Sequence, residues 1–340
     1  MNLENFGWNA YWAGVLREAI AASPVESASG TSGRVTAVHR AMLEVETEYG
    51  LVPVHGTAAT VGDWVLLKYP GPRLLSVLPR RTQISRRSPG TRTEEQVLAA
   101  NVDTAMLVMG LDGDFNLRRL ERYLVAIEES GAKPLIVLNK ADLCDQIGNS
   151  LRLVRELCRV APVFAVSALN DDLASAFQPY LAPGESVALL GSSGAGKSTI
   201  LNALLGEQRQ RTSPVREDDS RGRHTTTARQ LISSPQGWLI FDLPGLREVQ
   251  LWAGRESLDA AFDEIAVLAL QCHYRDCRHQ GEPGCAVAAE LPPERLASFH
   301  RLERELESLE ERRGGAAAQN AKRRWRQIHK EMRHHPKYKR

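Results

Sequence analysis

The pattern of apolar and polar positions changes character twice along the chain. Downstream of residue 30, short apolar segments separated by turn residues follow one another: GRVTAVHR, AMLEVETEYG, LVPVHG, VGDWVLLKYP and RLLSVLPR. Within the second, Leu43, Val45, Thr47 and Tyr49 fall on every other position, the spacing of a strand with one buried face. Five such strands in quick succession predict a small β-barrel of the oligonucleotide-binding type. The polar, small-residue run SPVESASGTSG (23–33) reads as a linker before them, and the preceding LENFGWNAYWAGVL is aromatic enough to pack on the body. Trp64 and Tyr69 suit either base stacking or the barrel core.

From about residue 102 the rhythm becomes strand, helix, strand, helix. VDTAMLVMGLD reads as a buried strand, LRRLERYLVAIEES as a helix stopped by Gly131, and PLIVLNKAD as a strand. A helix over 149–160, the strand PVFAVSAL, a helix around 171–180 and the strand ESVALLG follow. Such alternation implies a mostly parallel sheet covered by helices, with ligands at the carboxyl ends of the strands. Beyond about residue 250 the chain turns helical: LDAAFDEIAVLALQ and PERLASFHRLERELESLEERR are both helix-like. The expected organisation is an N-terminal extension (1–30), an OB-like β-barrel (31–82), an α/β domain (83–250) and a helical C-terminal domain (251–340).

Composition narrows the class. The chain has 340 residues, 43% of them hydrophobic and 25% charged, as in soluble globular proteins. No apolar run approaches the roughly 18 residues of a membrane span, and the N-terminus lacks a secretion signal, so a cytoplasmic protein without membrane association is expected. Net charge is +2, but residues 322–340 carry nine Lys or Arg against Glu331 alone, a net +8 that leaves −6 for the rest. A basic arm with Trp325 and Tyr338 interleaved on a mildly acidic body suits a polyanion such as RNA. The five cysteines are an odd number in such a setting and do not suggest a disulfide framework.

GSSGAGKS (191–198) lies between the apolar strand ESVALL and the helical TILNALLG, the context a phosphate-binding loop requires. Gly191, Gly194 and Gly196 let the backbone curl so that N–H groups meet phosphate oxygens, with Ser192, Ser193, Ala195 and Thr199 completing the cradle. Lys197 supplies a charge to the β- and γ-phosphates and the Ser198 hydroxyl a Mg²⁺ ligand. DLPG (242–245) follows the strand WLIF, so Asp242 can reach the metal through water and Gly245 can turn its N–H toward the γ-phosphate. Between them, RGRHTTT (221–227) offers a threonine to Mg²⁺, either Thr225 or Thr226, with Thr226 preferred.

NKAD (139–142) points to guanine. Asp142 can accept from the ring N–H and the exocyclic amine of guanine, a donor pair adenine lacks, while Asn139 braces the loop, the Lys140 stem lies over the base and Ala141 joins them. At the end of the next strand, Ser167 and Ala168 of SAL offer a backbone N–H to the guanine carbonyl oxygen. The base motifs precede the phosphate motifs, the reverse of an ordinary GTPase, so the domain is circularly permuted. Downstream, Cys272, Cys277, His279 and Cys285 have the spacing C-x₄-C-x-H-x₅-C. Three thiolates and one imidazole fill the tetrahedron of a structural Zn²⁺ and leave no open position for water.

NKAD, GSSGAGKST, RGRHTTT, DLPGLRE and CHYRDCRHQGEPGC, in this order behind a barrel, closely resemble the ribosome small-subunit-dependent GTPase A family of bacteria. The resemblance covers nearly the whole chain. It implies a GTP hydrolase acting late in assembly of the small ribosomal subunit, binding its rRNA, stimulated by the subunit and monomeric. Leu243 departs from the Thr or Ser that relatives mostly carry. Leu246 stands where many GTPases place the glutamine that orients the attacking water, so hydrolysis by the free protein should be slow. His224 is the candidate replacement, in keeping with a role proposed for the family's matching histidine; a loop histidine without catalytic duty fits the residues equally well. A nucleotide-gated RNA-binding module with little turnover, or a permuted GTPase of large-subunit assembly, are the other readings.

Overall fold

The computed structural model describes residues 2–22, 30–56, 58–88, 95–206, 229–243 and 253–312. The chain separates into two compact units, Met1–Ser85 with Val97–Gln250, and Arg86–Gln96 with Leu251–Arg340.

The first unit opens with a 3₁₀ turn, Leu3–Phe6, and helix α1 (Ala10–Ala22). Five strands follow: β1 (Gly30–Val38), β2 (Met42–Thr47), β3 (Gly50–His55), β4 (Trp64–Lys68) and β5 (Arg73–Val77). Their antiparallel order is β3-β2-β1-β4-β5 with β3 and β5 approaching one another, which closes the small barrel. Val35, Leu43, Val45, Val54, Val65 and Leu67 fill its interior. Leu43, Val45 and Thr47 are buried as their alternation requires, whereas Tyr49 lies past the end of β2 in the turn to β3 and is 76% exposed.

The aromatic N-terminus packs on this barrel. Trp8 meets Trp64 edge to face at 4.8 Å, and Trp12 lies 5.8 Å from the same ring. Trp64 is fully buried, so its place is in the core rather than on a stacking surface. Beneath it the buried Arg34 guanidinium donates to the carbonyls of Phe6 at 2.5 Å and Asn101 at 3.0 Å. Burial lowers its pKa to about 10.

A two-stranded ribbon of β6 (Gln83–Arg87) and β7 (Glu95–Ala100) leads to the α/β part. There β8 (Thr104–Gly110), β9 (Lys133–Asn139), β10 (Val163–Ala165) and β11 (Ser186–Leu190) are parallel, and β12 (Arg229–Ser233) pairs antiparallel with β13 (Leu239–Asp242). The sheet order is β10-β9-β8-β11-β13-β12-β1-β2-β3, so the barrel and the α/β sheet are continuous. β1 makes the join by dividing one edge: residues 30–34 pair with β4, and Ala37 and Val38 pair with β12. Asn101, in the left-handed region at φ 55°, holds the same junction. Its side chain donates to Gly62 O at 3.1 Å and accepts from Arg81 N at 2.9 Å.

Every residue of β8 is buried, as expected of a central parallel strand covered on both faces. Helix α2 (Leu117–Ser130) starts where Asn116 accepts from the Arg119 N–H and stops at Gly131, at φ 72°. It buries Leu120, Tyr123, Leu124 and Ile127, one face at helical spacing. Emptying one such position, as in Leu120→Ala, costs about 2–5 kcal/mol in typical cores. Helices α3 (Ile147–Leu157), α4 (Leu173–Phe177) and α5 (Lys197–Leu205) follow among the described residues of the unit. The helix expected around 171–180 is only five residues long.

In the second unit the single helix expected from LDAAFDEIAVLALQ is two, α6 (Arg255–Ala261) and α7 (Asp263–Ala269). The break is Phe262, at φ −129° and ψ 42°. Its buried ring packs edge to face on Phe299 at 5.5 Å and lies 3.8 Å under the Arg295 guanidinium. This packing outweighs the continuity of the helical pattern. After α8 (Ala286–Glu290), a long helix α9 runs through 293–312. Among the described residues no helix is long and apolar enough to cross a membrane.

Candidate nucleotide site and metal centre

β8, β9 and β11 are adjacent, so the turns after their carboxyl ends converge, and these turns carry the predicted motifs. The loop 191–196 links β11 to the N-terminus of α5, where Lys197, Ser198 and Thr199 form the first turn. Two glycines are required by their surroundings. A Cβ on Gly191, at φ +138°, would lie 2.0 Å from Val108 O, and one on Gly196, at φ +96°, 2.0 Å from Asn139 Nδ2. Lys197 donates its ammonium protons to Gly191 O, at 2.7 Å, and to Ser192 O. The ammonium is thereby held against the loop that would surround phosphates.

Asn139 ends β9 and is 3% exposed. Its Nδ2 donates to Ala195 O at 3.0 Å, and its Oδ1 accepts from Ala168 N, also at 3.0 Å. One side chain thus ties the NKAD loop to the phosphate loop and to the SAL loop. The Ala168 N–H, expected to face a guanine carbonyl, is engaged by Asn139 here. Ser167 donates its N–H to Asp171 at 2.7 Å, which fixes the turn after β10. Lys140 is left-handed at φ 63°, Ala141 opens a short 3₁₀ turn, and Asp142 within that turn is exposed. Asp242 is the last residue of β13, and Leu243 after it packs against the apolar core beneath the sheet. His224, Thr225, Thr226, Gly245, Leu246 and the basic arm 322–340 lie outside the described residues.

Two acids escaped the sequence reading. LDGDFN (111–116) follows β8, between the base and phosphate strands. In it Asp112 accepts from Lys140 Nζ at 2.5 Å, and Asp114 accepts from the Ser192 hydroxyl and from Arg119. An acid two residues past a strand end carries no signal until strand order is known.

In the second unit the ligand atoms of Cys272, Cys277, His279 and Cys285 all lie within 4.8 Å of one another. Metal–sulfur bonds of about 2.3 Å and metal–nitrogen bonds of about 2.0 Å in a tetrahedron put sulfurs about 3.8 Å apart and sulfur about 3.5 Å from nitrogen. Here Cys272 Sγ is 4.0 Å from Cys285 Sγ, and His279 Nδ1 is 3.7 Å from Cys272 Sγ and 3.5 Å from Cys285 Sγ. The donors therefore fit a Cys₃His zinc site, with Nδ1 as the histidine ligand. None of the three cysteines is in a disulfide. The loop is braced by Glu282, whose carboxylate accepts from the N–H groups of Arg278 at 2.9 Å and Gln280 at 2.7 Å. These bonds hold its pKa at about 2. His300 is half-buried, and its ring nitrogens face His279 O and Glu303 Oε2, each at 3.1 Å. His273 is exposed and stands outside the ligand set.

A phosphate loop and a guanine-type loop at one sheet end, the base strands coming first in the chain, define a circularly permuted P-loop GTPase. The RsgA GTPase family model matches residues 77–252, and the chain belongs to that family. A relative from Opitutus terrae is 43% identical, covering 98% of this chain and 97% of its own. One from Xylella fastidiosa is 50% identical over 73% of this chain and 74% of its own. Both are called small ribosomal subunit biogenesis GTPase RsgA. Among solved structures, YjeQ from Thermotoga maritima superposes with a TM-score of 0.60 at 26% identity, over 82% of this chain and 98% of that one. The circularly permuted GTPase YloQ, at 22% identity and a TM-score of 0.60 over 82% and 96%, shares the fold.

Proposed function

We propose that this protein hydrolyses GTP to GDP and phosphate as a late assembly factor of the small ribosomal subunit, binding the subunit's rRNA and accelerated by it. The observation that carries the reading is the Asn139 side chain, which joins the candidate guanine loop to the candidate phosphate loop. The subunit comes from the names its relatives bear.

In this reading Asp142 accepts from the guanine N–H groups, Lys140 covers the base, and Ala141, Ser167 and Ala168 line its edge. The N–H groups of 191–196 and the Lys197 ammonium hold the β- and γ-phosphates, with Thr199 following Ser198 in the helix turn. Ser198 and Thr226, with Asp242 through water, would hold Mg²⁺, which when bound neutralises charge developing on the phosphate oxygens. Gly245 reports the γ-phosphate. With Leu246 unable to orient water, His224 positions the water whose oxygen bonds to the γ-phosphorus as the bond to the β–γ bridging oxygen breaks. One Zn²⁺ on Cys272, Cys277, His279 and Cys285 is structural, the 322–340 arm meets rRNA phosphates, and the protein works as a cytoplasmic monomer.

The test is GTP turnover by the full-length chain with and without purified small subunits, repeated for His224→Ala. Many-fold stimulation by small subunits, lost in His224→Ala at unchanged GTP affinity, is expected. Equal rates with and without subunits, or stimulation by large subunits instead, would overturn the assembly role; an undiminished stimulated rate in the variant would remove the histidine.

A further inference from the structure

Resting on the nucleotide reading above, we propose that Asp112 is a positioning residue for guanine-nucleotide binding, acting through Lys140. The loop that carries it grips both halves of the site. Leu111 donates its N–H to Asn139 O at 2.7 Å, which anchors the loop beside the base motif. Asp114 accepts from Ser192 of the phosphate loop and is itself held by Arg119 of α2. Asp112 sits between these anchors, with its Oδ1 accepting from the Asp114 N–H at 3.2 Å and its Oδ2 taking the Lys140 ammonium at 2.5 Å.

Lys140 needs such a partner. It stands at φ 63° and ψ 38°, a left-handed conformation that an L residue adopts only when its surroundings impose it. The Leu143 N–H holds its carbonyl at 3.0 Å, and Asp112 holds the other end of the side chain. A free lysine loses more rotamer freedom on ordering than almost any other side chain. The pair imposes that loss before a base arrives, so the aliphatic stem is already laid out where the base would lie. Burial raises the pKa of Asp112, but hydrogen bonds from Lys140 and the Asp114 N–H outweigh it and leave the carboxyl below its ordinary value. The carboxylate therefore stays charged across neutral pH. Because Asp112 acts on the base half, its loss must weaken GDP and GTP alike and leave the chemical step alone.

The experiment measures GDP and GTP dissociation constants and saturated turnover for the full-length chain, Asp112→Asn, Lys140→Met and the double variant. For a pair whose side chains are 25% and 33% exposed, Asp112→Asn should raise both constants by about two- to fivefold. The GTP-to-GDP ratio and the saturated rate should not move, and the double variant should bind no worse than Lys140→Met. Unchanged affinity in Asp112→Asn, a loss confined to one nucleotide, or losses that multiply in the double variant would overturn the proposal while leaving the base site standing. If the unaltered chain bound no guanine nucleotide, the base-site reading and the proposal would fall together. Should Asp112→Asn not fold, Asp112→Ser is measured in its place: an equal loss for both nucleotides at an unchanged saturated rate supports the positioning role, and unchanged affinity overturns it.

Discussion

Replacing Asn139 by Ala tests the joint on which the nucleotide site is built. The side chain is 3% exposed and makes two 3.0 Å bonds, donating to Ala195 O and accepting from Ala168 N. Alanine removes both and leaves a carbonyl of the phosphate loop and an amide of the SAL loop without partners. An unsatisfied buried group costs about 1–3 kcal/mol, so the two together set a range of about 2–6 kcal/mol. Ala168 is half-buried and water can reach it on relaxation, which favours the lower part, about 2–3 kcal/mol. Expressed entirely in binding, that is about a 30- to 150-fold weaker affinity for GDP. Equilibrium titration with a fluorescent GDP analogue measures it, and thermal unfolding of the nucleotide-free protein separates any part that appears as lost stability. Asn139→Asp sharpens the test. It keeps the acceptor for Ala168 but sets a carboxylate oxygen against the Ala195 carbonyl, so it should bind no better than the alanine variant. An Asn139→Ala affinity within threefold of the unaltered protein, with unchanged stability, would refute the joint, as would restoration by aspartate.

Two further predictions follow from the same geometry. Asp142→Asn should weaken GTP binding at least tenfold and gain affinity for xanthosine triphosphate, whose carbonyl accepts where guanine's amine donates; competition binding checks it, and unaltered preference for GTP would remove Asp142 from the base site. The protein should hold one zinc per chain, released by chelators, by Cys277→Ser, and as pH falls, because the thiolates must be deprotonated to bind; loss should lower helical signal and melting temperature, and full retention of zinc by Cys277→Ser would refute the ligand set.

Much of the site is local in origin and could be read before any coordinate. The positive φ of Gly191 and Gly196 is a local demand of a strand-to-helix turn, although their crowding by Val108 and Asn139 is tertiary, and the four zinc ligands lie within fourteen residues, so their spacing alone specifies a chelate. Helix α2 announces its own ends in Asn116 and Gly131. The division of LDAAFDEIAVLALQ at Phe262 was not legible, since it depends on Phe299 and Arg295, more than thirty residues away. Tyr49 continues the alternation of β2 in writing but not in space, because the strand ends two residues earlier.

What the sequence determined by itself is therefore the inventory: a phosphate loop, a guanine-type motif, a tetrahedral donor set, and the inverted order that marks a permuted domain. What tertiary structure alone decided is which of these meet and what holds them. Strand order sets β8 between the base strand and the phosphate strand, and so brings Asp112 to Lys140 and Asp114 to Ser192 across 28 and 78 residues of chain. It also lets Asn139 bond to the phosphate loop and to the SAL loop, and joins the barrel to the α/β sheet through β1 and β12. Hydrogen bonds act over about 3 Å whatever the distance along the chain, so a pattern read residue by residue names the partners only when they are neighbours in sequence.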